Sequence, residues 1–205
     1  MLRRPGPAST RDLTAFRLVW LVEDVIYTHG WTWVPDEAVA FRTERGTVPY
    51  AGWVEAGLMK QTPGGTTDYD IMAEDIAALS KRFKIREIGY DRYNAGSVVN
   101  ALTNAGLKMV EFIQGTRSYH GPMQRFEIAY VGGKLAHNGD PLLTWCASNL
   151  VARYDNGMRM APDRKRAADK IDHMAALLMA IGMLEGNQPQ NVSFLNDPII
   201  LGRKK

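Results

Sequence analysis

The order of apolar and polar positions predicts a chain that begins with strands and continues with alternating helices and strands. Residues 13–22 and 25–34 are rich in β-branched and aromatic side chains. The polar break between them, at Glu23 and Asp24, predicts a tight turn and therefore a β-hairpin. Short helices are expected to open at Asp36 and to cover residues 48–58.

A longer helix is predicted after Asp68, whose carboxylate is suited to cap it. Met72, Ile76, Leu79 and Phe83 follow at spacings of four, three and four residues. Such spacing places the four side chains on one face of a helix, so this face is expected to pack against a sheet.

The middle of the chain predicts parallel strand pairing. Residues 85–90 and 109–112 are short and apolar enough to be buried strands, and a helix capped by Asn94 is expected between them, ending near Gly106. Because parallel strands need a crossover connection, this order predicts a mixed α/β sheet flanked by helices.

The remaining segments complete a single predicted domain over residues 13–186. Helices are expected over residues 122–130, 140–148 and 165–184, with strands over 135–137 and near 151–153. The last helix carries the apolar stripe Ile171, Ala175, Leu178 and Gly182. Residues 1–12 are expected to be an irregular remnant, and residues 187–205 a flexible tail.

Composition narrows the class of protein. Apolar residues make up 45% of the 205 positions and charged residues 23%, which is typical of globular proteins. No apolar run is long enough to span a membrane, and no secretory signal follows the first arginines. The single cysteine, Cys146, excludes a disulfide framework and a Cys-rich zinc site, and fits a reducing cytoplasm.

Positive charge falls in two clusters, one near the C-terminal helix and a second, further upstream, made of Lys81, Arg82, Lys84 and Arg86. The net charge is only +3, so charge alone does not require a polyanionic partner. Five basic residues nevertheless fall close together: Arg159, Arg164, Lys165, Arg166 and Lys170. They are candidate contacts to DNA phosphates, and the alternative interpretation is a solvated helix face.

Common catalytic motifs are absent from the sequence. It contains no Gly-x-x-x-x-Gly-Lys-Ser/Thr string and no Gly-x-Ser-x-Gly elbow, and its four histidines lack zinc-site spacing. These absences exclude a nucleotide-hydrolysing motor of the P-loop type within this chain, and they direct attention to the carboxylates.

Three aspartates are candidate metal ligands. Asp91 directly follows a predicted strand, where α/β sheets bind ligands, although it could instead cap the next helix. Asp172 lies beside the apolar stripe of the last helix, and Asp12 heads the first strand. Mg²⁺ prefers oxygen ligands, and two such ions about 4 Å apart cleave phosphodiesters. The three acids therefore suggest the arrangement of ribonuclease H-like nucleases.

The chain resembles the C-terminal nuclease domain of tailed-bacteriophage terminase large subunits over roughly residues 8–186. The resemblance rests on several short strings in order, namely residues 9–15 (STRDLTA), 48–54 (VPYAGWV), 62–64 (TPG), 90–95 (YDRYNA), 106–112 (GLKMVEF), 147–149 (ASN) and 170–172 (KID). No single string is decisive, but the order and spacing of all these strings, taken together, are specific to the family.

This resemblance implies a ribonuclease H-like fold and cleavage of concatemeric double-stranded DNA during genome packaging. It implies two Mg²⁺ or Mn²⁺ ions held by Asp91, Asp172 and Asp12, with the basic stretch from Arg159 to Lys170 beside the DNA. The portal protein and the small terminase subunit become candidate partners, in the cytoplasm of the bacterial host.

Two departures from the family pattern limit what is expected. The ATPase domain that precedes the nuclease in the family is absent from the chain, so translocation of DNA is not expected. The family's first catalytic acid should stand six residues before Asp12, where this chain has Gly6 between two prolines. A truncated or interrupted phage gene would explain both departures.

The missing acid leaves three hypotheses open. The first is a residual metal-dependent endonuclease. The second is a catalytically impaired prophage fragment that acts at most as a DNA- or portal-binding module. The third is a host ribonuclease H-like resolvase or repair nuclease. Cleavage of plasmid DNA, of DNA junctions or of neither would separate them.

Overall fold

The computed structural model describes residues 13–46, 48–92 and 96–186. Its strands are β1 (Thr14–Val22), β2 (Val25–Pro35), β3 (Lys60–Thr62), β4 (Ile88–Tyr90), β5 (Met109–Glu111), β6 (Leu135–Ala136), β7 (Ala152–Tyr154) and β8 (Met160–Pro162). Its helices are α1 (Asp36–Arg45), α2 (Tyr50–Glu55), α3 (Tyr69–Ser80), α4 (Gly96–Asn104), α5 (Thr116–Val131), α6 (Pro141–Asn149) and α7 (Asp172–Gly186). None of the helices in these ranges has the length and apolar character needed to cross a bilayer.

The predicted hairpin forms the centre of the main sheet. β1 and β2 pair antiparallel from Thr14 opposite Trp33 to Val22 opposite Val25. The turn is tight because Glu23 adopts a left-handed conformation, with φ of 56°. β3 and β6 both pair in parallel with β2, at opposite ends of it. The main sheet is therefore mixed, as the sequence predicts.

β4 and β5 form a second, parallel pair, which confirms the pairing predicted from the order of elements. β7 and β8 form a short antiparallel ribbon. Among the described residues, neither of these two pairs is hydrogen-bonded to the main sheet.

Helices cover both faces of the hairpin. On one face, Trp33 of β2 packs with Met72 and Ile76 of α3 and with Leu102 of α4. On the other face, Ile26 packs with residues of α6 and α7. The arrangement is a sheet flanked by helices, as predicted.

α7 is the central helix of the molecule. Met174, Leu177, Leu178 and Ile181 have no exposed surface, and the helix contacts β1, β4, α5 and α6. A helix that is apolar on all sides needs such surroundings. Gly182 allows the closest approach, because a Cβ there would lie 2.8 Å from Phe112 and 3.1 Å from Pro122 of α5.

Local capping explains where two helices begin. The carboxylate of Asp68 accepts hydrogen bonds from the backbone N–H groups of Asp70 and Ile71, as predicted. Asp140 does the same for Leu142 and Leu143 at the start of α6. These bonds satisfy donors that the first turn of a helix leaves free.

Several predicted boundaries are wrong. α7 begins at Asp172 and not at residue 165, because residues 163–171 form a loop in which the Asp163 carboxylate accepts from the backbone of Lys165 and Arg166. α5 begins six residues before Pro122 and includes this proline. α3 ends at Ser80, so Phe83 lies beyond it. Asn94, residues 1–12 and residues 187–205 fall outside the described residues.

Candidate metal and nucleic-acid site

Asp172 is the first residue of α7, where a negative charge is favoured by the helix dipole. Its side chain is 22% exposed, and one of its carboxylate oxygens lies 3.4 Å from Nη1 of Arg164. From the sequence, Asp172 is expected within a helix beside a buried stripe, where its charge needs a compensating cation. The structure places the acid at the helix end and supplies the guanidinium of Arg164.

Asp91 directly follows β4, at the carboxyl end of the parallel pair, as predicted. The strand is held to β5 up to this point, since the backbone N–H of Phe112 donates to the carbonyl of Tyr90. The side chain of Asp91 is half-buried. Asn94, the predicted cap of the next helix, lies outside the described residues.

The pKa of the buried Tyr119 is affected by charged groups at or next to the two acids. Burial raises the pKa of Tyr119 to about 12; the positive charge of Arg164 opposes this rise, and the negative charge of Asp91 adds to it. Arg164 in turn contacts Asp172. The pKa of Tyr119 thus responds to Asp91 and to Arg164, the residue that pairs with Asp172.

Asp12 lies outside the described residues, as does Gly6. β1 begins at Thr14, two residues after Asp12, and the intervening Leu13 is buried in the core. Within the described ranges, no group of three or more His, Cys, Asp or Glu side chains is arranged to hold a metal ion.

The two described acids fit the donor set of a magnesium or manganese site. Mg²⁺ is typically held by one or two carboxylates and otherwise by water and phosphate oxygens. Asp91 and Asp172 supply such carboxylates in half-buried positions. A third protein ligand would have to come from outside the described ranges, where Asp12 lies.

The five predicted DNA contacts lie on a ribbon and a loop instead of one helix. Arg159 is in the turn of the β7–β8 ribbon and pairs with Asp155. Arg164, Lys165 and Arg166 occupy the loop before α7 and are exposed. Lys170 differs, because it is half-buried and burial lowers the pKa of its ammonium group.

A neighbouring ion pair joins the end of this loop to the N-terminal half of the domain. Asp169 accepts two hydrogen bonds from Arg42 of α1, at 2.8 and 3.0 Å. The guanidinium of Arg42 also lies over the ring of Tyr50, 5.5 Å from its centroid. Asp169, although close to Asp172 in sequence, is thus occupied by a different partner.

Sequence reasoning missed a buried polar network next to the site. Arg17 of β1 has a fully buried side chain and forms an ion pair with Asp140 at 2.8 Å. It also contacts His173, the residue after Asp172, again at 2.8 Å. The signal that could have revealed it is an arginine in the middle of an otherwise apolar strand, which requires an internal partner.

Cys146 is buried in the core beneath this network, so we expect it to be inert in the native protein. Burial raises the pKa of its thiol to about 12, whereas the thiolate is the reactive form. Labelling with a thiol-reactive chromophore at pH 8 should be at least about a hundredfold slower than in denaturant. Labelling of the folded protein at the denatured rate would contradict this burial.

Comparisons with known proteins agree with this fold. A family profile described as the endonuclease domain of the terminase large subunit matches residues 8–187. The terminase large subunit of Enterobacteria phage HK97 is 29% identical over 182 residues, covering 87% of this chain and 36% of that protein. Protein YmfN of Escherichia coli K12 is 31% identical over 156 residues, covering 73% of this chain and 34% of that protein.

The crystal structure of the HK97 bacteriophage large terminase superposes with a TM-score of 0.79 at 30% sequence identity. The match covers 86% of this chain and 37% of that one, so this chain spans about a third of the length of these relatives. It confirms the ribonuclease H-like fold expected from the sequence. The chain belongs to the family of terminase large subunit endonuclease domains.

Proposed function

We propose that this chain is a metal-dependent endonuclease that cuts double-stranded DNA during phage genome packaging. The observation that carries the proposal is the placement of Asp172 at the start of the central helix beside Arg164, and of Asp91 at the carboxyl end of the β4–β5 pair. Two partly buried carboxylates and a cationic side chain suit divalent cations and a polyanionic substrate.

Asp91, Asp172 and Asp12 are the residues we propose to hold two Mg²⁺ or Mn²⁺ ions. Bound there, such ions supply an activated water and stabilise the departing oxygen of the phosphodiester. The role of the chain is to fix the carboxylates; α7 does so for Asp172, and the β4–β5 pair for Asp91. Gly6 offers no carboxylate, so we expect slower cleavage than a complete set of acids would give.

Arg159, Arg164, Lys165, Arg166 and Lys170 are proposed to contact the DNA backbone. Arg164 is the member of this set that also lies beside a proposed metal ligand, 3.4 Å from the carboxylate of Asp172. Its side chain is 53% exposed, so its guanidinium could turn toward a phosphate with little rearrangement of the core.

Replacing both Lys165 and Arg166 by glutamine should weaken DNA binding in a salt-dependent way. Both side chains are exposed on the loop before α7. On duplex DNA, the slope of log affinity against log salt becomes shallower by about 0.9 for each phosphate that the protein no longer neutralises. Fluorescence anisotropy with a labelled duplex at several salt concentrations measures this slope. The control removes the same charge at Lys84 and Arg86, exposed residues after α3; an equal loss there would contradict the assignment.

The decisive experiment for the proposed function is incubation of the purified chain with supercoiled plasmid and Mn²⁺, Mg²⁺ or EDTA. We expect nicked and linear products with either metal and none with EDTA. Asp91→Ala should abolish cleavage; cleavage equal to the wild type would show that the site is assigned wrongly. A parallel assay with four-way junctions tests the resolvase alternative, which predicts cleavage of the junction alone.

A non-catalytic DNA- or portal-binding module is the second candidate. Gly6 in place of the first acid favours it, since loss of a metal ligand weakens the site. It predicts salt-sensitive DNA binding with no cleavage under any metal. The portal protein and the small terminase subunit are the partners we propose, and the host cytoplasm is the proposed location. Residues 13–186 are the proposed nuclease domain.

A further inference from the structure

A network of buried side chains ties the start of α7 to the hairpin. The guanidinium of Arg17 donates from Nε to Oγ1 of Thr28 at 3.0 Å and from Nη1 to Asp140 at 2.8 Å. Nη1 also lies 2.8 Å from Nδ1 of His173, while Nε2 of His173 lies 2.7 Å from Oγ1 of Thr32. His173, Thr28 and Thr32 are at most 3% exposed.

The hydrogen-bond partners of His173 determine which of its two ring nitrogens carries the proton. A guanidinium has hydrogen-bond donors and no acceptor, so Nδ1 of His173 must accept from Arg17. Nε2 must then carry the ring proton, and it donates to Thr32. Both ring nitrogens are therefore used, and the ring is fixed in one orientation against β1 and β2.

Strand β2, opposite Arg17, leaves room for the contact between Arg17 and His173. Gly30 is paired with Arg17 across the hairpin. A Cβ at Gly30 would lie 2.6 Å from Nη1 of Arg17 and 3.1 Å from Nδ1 of His173. The space that glycine leaves is thus filled by the guanidinium and the imidazole.

His173 directly follows Asp172 in the first turn of α7. Successive side chains of a helix project about 100° apart, which allows the imidazole to enter the core while the carboxylate meets Arg164. The backbone just before Asp172 is also held, since Ile171 is 2% exposed and the carbonyl of Lys170 accepts from Nδ2 of Asn149. The anchored imidazole of His173 holds the chain on the other side of this acid.

We propose that His173 is a positioning residue, which fixes the first turn of α7 through Arg17 and Thr32 and so holds the Asp172 carboxylate in place for a divalent cation. The inference rests on the proposed function, because it assumes that Asp172 is a metal ligand. Partners that orient ligands typically change metal affinity by about 10–100-fold when removed.

Thr32→Val tests the proposal, because it removes the acceptor for His173 while keeping a β-branched residue in the strand. The probe is Mn²⁺ alone, with free ion measured by electron paramagnetic resonance in the full chain. We expect about tenfold weaker binding in Thr32→Val and near wild-type binding in Thr32→Ser, which restores the hydroxyl.

Thr28→Val is the matched control. It makes the same change on the same strand at the same burial, but it leaves both bonds of His173 in place. It should lower stability while leaving Mn²⁺ affinity within about twofold of the wild type. An equal loss of affinity in both valine variants, or none in Thr32→Val, would overturn the positioning role.

Two further measurements distinguish a failure of the proposed function from a failure of the positioning role. If Asp172→Asn binds Mn²⁺ as the wild type does, the proposed function fails; if only Asp172→Asn loses binding, the positioning inference fails alone. Should Thr32→Val not fold, nitrogen-15 NMR of the wild-type imidazole decides: a proton on Nε2 supports the network, and one on Nδ1 overturns it.

Discussion

Asp172→Asn is expected to lose Mn²⁺-dependent plasmid cleavage by at least about a hundredfold. The change keeps the shape of the side chain and removes the charge that would bind the cation. Metal ions contribute several kcal/mol to stabilising such transition states, and about 1.4 kcal/mol corresponds to a factor of ten in rate. Initial rates of nicking over a range of metal concentrations give the measurement.

Asp169→Asn is the control for this variant. Asp169 lies three residues earlier and is bound by Arg42, so the substitution removes one negative charge without removing a proposed ligand. Cleavage should stay within about threefold of the wild type, as expected for a charge bound elsewhere. If both variants lost activity equally, nearby negative charge and not metal ligation would explain the effect.

Arg17→Met should be the most destabilising of the substitutions considered. The fully buried guanidinium pairs with Asp140 and contacts His173 and Thr28. Removing one partner of a buried ion pair leaves the other charge without compensation, which typically costs about 3–5 kcal/mol in the free energy of unfolding. Urea denaturation followed by circular dichroism measures this loss.

Lys60→Met provides the comparison for Arg17→Met. Lys60 pairs with Asp75 at 2.7 Å, but the lysine side chain is 53% exposed. Exposed pairs contribute between about 0 and 1 kcal/mol, so little change is expected. Similar losses in the two variants would mean that the interior position of Arg17 has no special importance for stability.

The hairpin and the central helix could be predicted because their signals are local and strong. The hairpin combines two β-branched and aromatic stretches with a polar break, and residues 174–184 are almost wholly apolar. The start of α7 could not be found in this way. Residues 165–171 suit a helix by composition, but the turn formed by Asp163 competes with helical bonding there.

Short strands and interior polar contacts were harder to predict. β3 has three residues and was not predicted, because periodicity carries little signal in a segment of this length. β6, predicted over residues 135–137, is found at Leu135–Ala136, where β2 offers it a ladder. The pairing of Arg17 with Asp140 joins residues 123 positions apart, so the sequence can indicate that Arg17 needs an interior partner but not that the partner is Asp140.

For the candidate site, the sequence predicted where each described acid lies more accurately than it predicted which side chains surround that acid. Asp91 was expected at a strand end and is found there. Asp172 was expected inside a helix, whereas it meets Arg164 across the junction between a loop and a helix. The roles of Asp91, Asp172 and Asp12 in metal binding stay a prediction.

The difference in burial between residues 164–166 and the interior of α7 has a consequence for local opening of the backbone. Amides of α7 around Leu177 and Leu178 lie in a fully enclosed helix, so their hydrogen exchange should require cooperative unfolding of the whole domain. Amides at Lys165 and Arg166 should exchange through small fluctuations. The protein would thus hold a proposed metal ligand at the start of a protected helix while leaving the loop proposed to contact DNA free to adapt.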